Sequence, residues 1–307
     1  MRAVGGSEDR GTDRHARWAA RARLGRPGQP TPELVRFARR FLAPVVHHLH
    51  RPRLDGIEHL PASGAFLLVA NHSAGLGIAE ILTFAVLYLE RVGHDRPLAG
   101  FALPFGFHLY PASRVLYHLG AIPSTYEAAR ATLSAGVPLL VFPGGDHETL
   151  RPLWRANQVD FGGRMGFLRI ARELRVPIVP MGIRGSHYTA PVLWRSRWLP
   201  KFFVTPWLIG LKRWPLTLLG VLVAAVIAVT VPVAWPWRVL LIYLWLGSPF
   251  IFLPWIPATI RMRIGTPIPA ALLFEDADGE GALVGALARV EAAVQGLVDV
   301  EGRAGAP

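Results

Sequence analysis

Three apolar runs that end in polar or glycine-rich turns constrain this chain most. Ala65-Phe66-Leu67-Leu68-Val69 runs into Ala70-Asn71-His72-Ser73-Ala74-Gly75, and Val137-Pro138-Leu139-Leu140-Val141-Phe142 runs into Pro143-Gly144-Gly145. The third, Val176-Pro177-Ile178-Val179-Pro180-Met181-Gly182, is followed by Ile183-Arg184. Short apolar runs bounded by turns read as buried strands. Helical patterns lie between them, at Glu80 to Arg91, Ala112 to Leu119, Glu127 to Ala135 and Gly166 to Leu174. Residues 54–64 read as a strand and turn, and Leu98–Leu103 and Gly120–Pro123 as shorter strand pieces. This alternation predicts an α/β fold, a mixed, mostly parallel sheet flanked by helices. Such sheets keep their chemistry beyond the carboxyl ends of the strands, where Asn71, His72, Gly144 and Gly145 fall. A Gly-Gly turn there also exposes backbone N–H groups that can hold an oxyanion.

The rest of the chain is organised around that core. Residues 1–30 carry seven Arg against three acids and no apolar core, which predicts a disordered basic tail rather than a secretory signal. Thr31-Pro32-Glu33 opens a helix with Leu34, Phe37, Phe41, Leu42, Val45 and Leu49 at helical spacing and Arg36, Arg39 and Arg40 between them. Over 31–53 this reads as an amphipathic helix, interfacial or packed on its own domain. His47, His48 and His50 at its end suit either a metal or a helix terminus that favours cations. The core then spans 54–200.

Half of the 307 residues are hydrophobic, and the surplus falls late, in an insertion at 201–260. Trp214 to Trp237 is 24 residues without a charge, and Val239 to Ile260 another 22. About 20 helical residues cross a bilayer core. Trp235, Trp237 and Arg238 cluster between the runs, and Lys212, Arg213, Arg261 and Arg263 flank them, as membrane interfaces select. Three readings stay open: a two-helix membrane hairpin, a re-entrant segment dipping into one leaflet, or an intraprotein core. Either membrane reading returns the chain to the side it left. Residues 261–270 can then add a final strand and 282–299 an amphipathic helix, making 261–300 the last part of the core.

Net charge is +12, which calls for an anionic partner. With this apolar content, and no nucleic-acid-binding signature, anionic membrane lipid is expected and nucleic acid is not. The absence of cysteine excludes disulfides, thiolate metal sites and an acyl-cysteine intermediate.

Four blocks in order carry a resemblance: Gly64 to Ser73, Val141-Phe142-Pro143-Gly144-Gly145 with Glu148, Gly163-Arg164-Met165-Gly166-Phe167, and Val176 to Pro180. With these the chain resembles the PlsC-like phospholipid/glycerol acyltransferases, especially their diacylglycerol acyltransferase-like branch. The resemblance implies transfer of an acyl group from acyl-CoA or acyl carrier protein to a lipid hydroxyl, without a metal or further cofactor. It makes His72 the general base and matches Gly144, Gly145 and Glu148 to the family's turn and acid; beside these, Glu80 is the nearest acid to His72 and a catalytic candidate, and Asn71, Ser73, Arg164 and Arg184 are candidates around the substrates. A membrane enzyme with a cytosolic catalytic face follows, the flanking cations lying on the cytosolic side.

The chain departs from the family pattern twice. Five residues after His72, where an Asp usually orients the imidazole, stands Gly77, and Glu80 or Glu148 is expected to substitute. Where an Arg usually holds the acceptor's phosphate stands Tyr126, which opens the site to a neutral acceptor unless Arg130, Arg151, Arg164 or Arg184 compensates. Arg184 and His187 either line the site or cap the loop. Two other classes stay open: a catalytically silent lipid-binding relative, suggested by Gly77 and Tyr126, and a metal-dependent lipid hydrolase, suggested by His147 beside Glu148.

Overall fold

The computed structural model describes residues 27–73, 78–102, 104–208, 211–274 and 280–303. Most of the expected basic tail, and the turn through Gly75 and Gly77, lie outside them.

Seven strands form one sheet: β1 (Arg53–Asp55), β2 (Leu67–Ala70), β3 (Ala99–Ala102), β4 (Ile122–Pro123), β5 (Leu139–Val141), β6 (Ile178–Arg184) and β9 (Arg261–Ile264). Their order is β1-β9-β6-β2-β5-β3-β4. From β6 to β4 all neighbours are parallel, while β9 is antiparallel to β6 and parallel to β1. The chain thus leaves after β6 and returns at β9 as a strand of the same sheet.

The central strands are apolar on both faces because both are covered. Leu67, Val69, Leu139 and Ile178 join one core cluster. It includes Leu133 of α5 (Tyr126–Ser134), Leu168 of α7 (Gly166–Leu174) and Val290 of α13 (Glu280–Arg303). Phe66, Leu68, Ala70 and Met181 join a second cluster with Phe84 and Leu87 of α3 (Ile78–Arg91) on the opposite face. The helix α4 (Ala112–His118) lies between β3 and β4 in sequence, and α6 (Gly145–Thr149) is a short turn of helix after β5.

The first helix departs from its predicted face. It is two pieces, α1 (Pro32–Phe37) and α2 (Ala43–His50), joined by a π-helical turn, Ala38–Leu42. Pro44 has no N–H to donate, and the Ala43 N–H bonds to the Ala38 carbonyl five residues back. The register shift turns Val35, Ala38, Ala43 and Val46 inward and leaves Phe37, Phe41 and Val45 about half exposed. His47 bonds Glu90 of α3 at 3.0 Å, so it serves helix packing.

The insertion begins later than its charge-free run. Trp214–Thr217 is a strand, β8, paired antiparallel with β7 (Val192–Ser196), a two-stranded sheet that apolarity alone concealed. The short helices α8 (Leu199–Phe203) and α9 (Thr205–Leu208) lie between them. After β8 come α10 (Leu218–Thr230) and α11 (Trp235–Leu246), of 13 and 12 residues, which pack on each other as a hairpin. Among the described residues the one helical segment long and apolar enough to cross a membrane is Gly281–Val300, within α13. Its Leu283, Ala286, Val290, Val294 and Val298 are buried, and the helix packs on β6 so closely that Gly182 has no room for a Cβ. A short helix α12 (Ala270–Phe274) precedes it.

Candidate active site

Three adjacent parallel strands, β6, β2 and β5, deliver their following loops to one edge of the sheet. At the end of β2 the Asn71 amide accepts from the Ile183 N–H at 2.7 Å and donates to the Ile183 carbonyl at 2.8 Å. A side chain thereby continues the ladder after the backbone has turned away. Asn71 is buried and committed to this role, instead of standing among the substrate contacts as expected.

The next residue is His72. Its ring stacks on Phe142, the last residue of the β5 run, with centroids 4.3 Å apart and an interplanar angle of 20°. Its Nδ1 makes a short hydrogen bond to Glu80 Oε1, from the first turn of α3. Glu80 is fully buried and its carboxylate is bound on every side. Oε1 also accepts the Ser73 N–H at 2.8 Å, and Oε2 accepts the Ser73 hydroxyl at 2.5 Å and the Ser186 hydroxyl at 2.7 Å. An ionised carboxylate only accepts, so the bond to Glu80 is donated by the Nδ1–H, which leaves Nε2 as the ring nitrogen that does not face Glu80. Nε2 has no hydrogen-bond partner among the described residues. Glu80 thus stands against the imidazole although Gly77 occupies the usual position. Ser73 is a fully buried support of Glu80.

Glu148 does not reach the ring. Its Oε2 accepts the backbone N–H of His72 at 2.9 Å and its Oε1 the N–H of Asp160 at 3.0 Å, with Arg151 3.6 Å away. The buried carboxyl ties the β5 loop to the β2 loop. Burial pushes its pKa up to about 8, against the pull of the two N–H donors and Arg151. Gly144 is required beneath it: a Cβ there would lie 2.1 Å from Glu148 Oε2. The Gly-Gly turn is therefore a seat for Glu148 rather than an open pair of donors, since the Gly145 N–H already bonds the Phe142 carbonyl.

The arginines sort by partner. Arg164 donates to the Pro143 and Gly144 carbonyls at 3.3 and 2.8 Å and to Asp146, so it clamps the glycine turn. Arg213, ahead of β8, holds the other Asp146 oxygen at 3.0 Å. Burial works against the Asp146 charge, and the two guanidiniums outweigh it, holding the carboxyl below its usual range. Arg184 reaches the Val298 carbonyl of α13 at 3.5 Å and has no hydrogen bond to His72 among the described residues. Tyr126 and Arg130 both bond Glu173, at 2.6 Å each. His147 bonds Asp160 at 2.8 Å. Arg151 is buried with Nη1 lacking a partner among the described residues.

The loop after β6 contributes two residues. Ser186 is invisible to motif reasoning because it lies 106 positions from Glu80, and only the pairing of β6 with β2 brings it there. His187 is buried, and burial drives its pKa down to about 4, so it is neutral at physiological pH.

Comparison with known proteins bears on what this arrangement does. Residues 51–184 match the family model described as Acyltransferase. An uncharacterized protein of Mycobacterium tuberculosis is 29% identical over 185 residues, 60% of this chain and 50% of its own length. A second, from Mycobacterium leprae, is 30% identical over 162 residues, 51% of this chain and 42% of its own. A Bos taurus protein named "DGAT1/2-independent enzyme synthesizing storage lipids" is 30% identical over 132 residues, 43% of this chain and 38% of its own. The chain spans about half the length of the first of these curated relatives, or less of the others. The crystal structure of the 1-acyl-sn-glycerophosphate (LPA) acyltransferase PlsC from Thermotoga maritima aligns over 88% of this chain and 80% of its own, at 16% identity and a TM-score of 0.49.

Proposed function

From an acyltransferase-family domain over residues 51–184, we propose that the chain is a membrane-associated glycerolipid O-acyltransferase with His72 as its general base. The observation that carries this reading is the His72–Glu80 pair, with the carboxylate fully buried and Nε2 without a hydrogen-bond partner among the described residues. In the proposed step, Nε2 takes the proton of a lipid hydroxyl as its oxygen attacks the carbonyl carbon of an acyl thioester. The new C–O bond forms, the C–S bond breaks, and the imidazolium returns the proton to the departing thiolate. Glu80 fixes the tautomer and stabilises the transient imidazolium. No cysteine nucleophile is needed, in keeping with a chain that has none.

The donor is acyl-CoA or acyl carrier protein, and the protein faces the cytosol from the inner membrane surface. Tyr126 and Arg130 are both engaged with Glu173, which favours an acceptor without a phosphate monoester at that place, of the diacylglycerol kind. The name of the bovine relative, an enzyme of storage-lipid synthesis, agrees with such an acceptor.

The test is acyl transfer in liposomes with labelled acyl-CoA or acyl carrier protein and a panel of lysophospholipid and diacylglycerol acceptors. Product is expected with wild type, and a loss of 10²- to 10⁴-fold with His72→Ala, the usual contribution of a general base. No product with any donor and acceptor, from folded protein, would overturn the proposal in favour of a silent lipid-binding relative.

A further inference from the structure

The α10–α11 hairpin has no polar face. Beyond Gly220 no residue of either helix is buried, and Val226, Val229, Trp235, Val239 and Leu244 are all more than half exposed. A helix apolar all round is made for surroundings that are apolar all round. Its base is anchored to the body. Trp245 Nε1 donates to the Gly220 carbonyl at 3.0 Å, Tyr243 donates to the Phe202 carbonyl at 2.7 Å, and Phe202 and Phe203 pack edge-on or tilted against the Tyr243 ring. Around that base lie exposed aromatics, Trp198, Phe202 and Trp207, with the Lys201 ammonium 5.3 Å from the Trp198 ring centre. Aromatics with cations mark a membrane–water interface.

The height of the hairpin above this belt follows from helix geometry. From Tyr243 up to Trp235 is about 12 Å, and from Gly220 up to Thr230 about 15 Å, at 1.5 Å per residue. One leaflet of a hydrocarbon core about 30 Å thick is about 15 Å. The tip is also wired for a medium without water. Arg238 turns back to donate to the Val233 carbonyl at 2.9 Å and the Ala228 carbonyl at 3.0 Å. Carbonyls at a helix end have no internal partner, and in lipid each unmet group is costly, as is an unpaired guanidinium. Arg238 thereby serves two of the tip carbonyls with two of its five N–H donors.

We infer that the α10–α11 hairpin is a one-leaflet anchor: its tip stops near the bilayer midplane, and both ends leave on the same side. The partner is the acyl region of a bilayer, and the anchor is independent of the acyl-transfer chemistry. The anchor also positions the site, because a cluster at its base joins Trp214, Ile251 and Phe252 to Leu150, two residues past Glu148.

The chain has no cysteine, so single-cysteine variants report one position each. Val233→Cys at the tip and Asp95→Cys on the body, each in the full chain, would be bound to preformed phosphatidylcholine/phosphatidylglycerol vesicles. They would then be exposed to a membrane-impermeant maleimide outside or trapped inside. Asp95→Cys is expected to label from outside and Val233→Cys from neither side, with full labelling of both once denatured. A fluorophore on Val233→Cys is expected to be quenched most by lipids brominated deep in the acyl chain. Labelling of Val233→Cys by trapped reagent would show a spanning hairpin and overturn the inference. Labelling from outside as fast as Asp95→Cys would overturn it by showing a hairpin that stays in water, and protection without quenching by brominated lipid would overturn it by showing a hairpin packed on another copy. Val226→Lys, which places a charge halfway along α10, is expected to weaken vesicle binding at least tenfold. Unchanged binding by a folded Val226→Lys would count equally against insertion.

Discussion

One carboxylate decides whether this chain keeps the parts a histidine base needs. Glu80 receives four donors, and three of them, the Ser73 N–H and the Ser73 and Ser186 hydroxyls, hold it in place for the fourth, His72 Nδ1. Glu80→Gln keeps the shape and removes the charge that would stabilise the imidazolium of the proposed step. It also gives the buried pocket an NH₂ where only acceptors are served. The expected result is a fall in kcat of at least about tenfold with a smaller change in KM, since the charge matters most as the proton moves. A parallel loss confined to KM would mean that Glu80 shapes the acceptor pocket instead. At this scale His72 was legible as a polar residue ending an apolar strand. Glu80 was legible only as the nearest acid, because eight residues of separation say nothing about a carboxylate's direction. Asn71 read as a substrate contact because no sequence pattern distinguishes an amide facing a ligand from one facing a neighbouring strand.

The elements around the pair are set by close approach, and the β5 turn is the clearest case. Gly144 lies directly under the Glu148 carboxylate, with no space for a methyl group. Gly144→Ala must push Glu148 aside, and Glu148 holds the His72 N–H and the Asp160 N–H. The expected outcome is loss of most acyl transfer together with a lower melting temperature, by about 2 °C for each ~1 kcal/mol lost. Retained activity in Gly144→Ala would show that the turn tolerates rearrangement and that Glu148 is not what seats the β2 loop. Pro-Gly-Gly after an apolar strand was visible in the sequence; what the glycines were for was not, since an oxyanion turn and a seat for a side chain look alike. The β7–β8 pair was hidden for a different reason. Trp214 to Thr217 continues into α10 without a charge, and the one mark of the boundary is Thr217, whose hydroxyl accepts the Gly220 N–H as the N-cap of α10. The shifted face of α1 and α2 follows from Pro44, a local effect that a smooth helical period overlooks.

At the scale of the molecule, two buried groups next to the site titrate in opposite senses. His187 is neutral in the fold, its pKa lowered from 6.5 to about 4 by burial. As pH falls from 7 to 5 the unfolded chain gains a proton that the folded one refuses, so His187 makes the protein less stable in acid. Glu148 is raised from 4.5 to about 8, again by burial. The folded state keeps that proton over the same interval while the unfolded chain releases it, so Glu148 contributes stability that is fully present below 4.5 and lost as pH rises through 8. Between pH 5 and 7 the two slopes nearly cancel, and these two groups leave the wild type close to flat. Removing either exposes the other. His187→Asn is expected to become more stable toward pH 5 and Glu148→Gln less stable. Each change is about 2 kcal/mol across the interval, from 1.36 kcal/mol per pH unit for one fully buried group. Urea unfolding of detergent-solubilised protein at pH 5, 6 and 7 would read both. Slopes of the same sign in the two variants would contradict the assignment, because one of the groups would then have to be ionised where its burial says it is neutral.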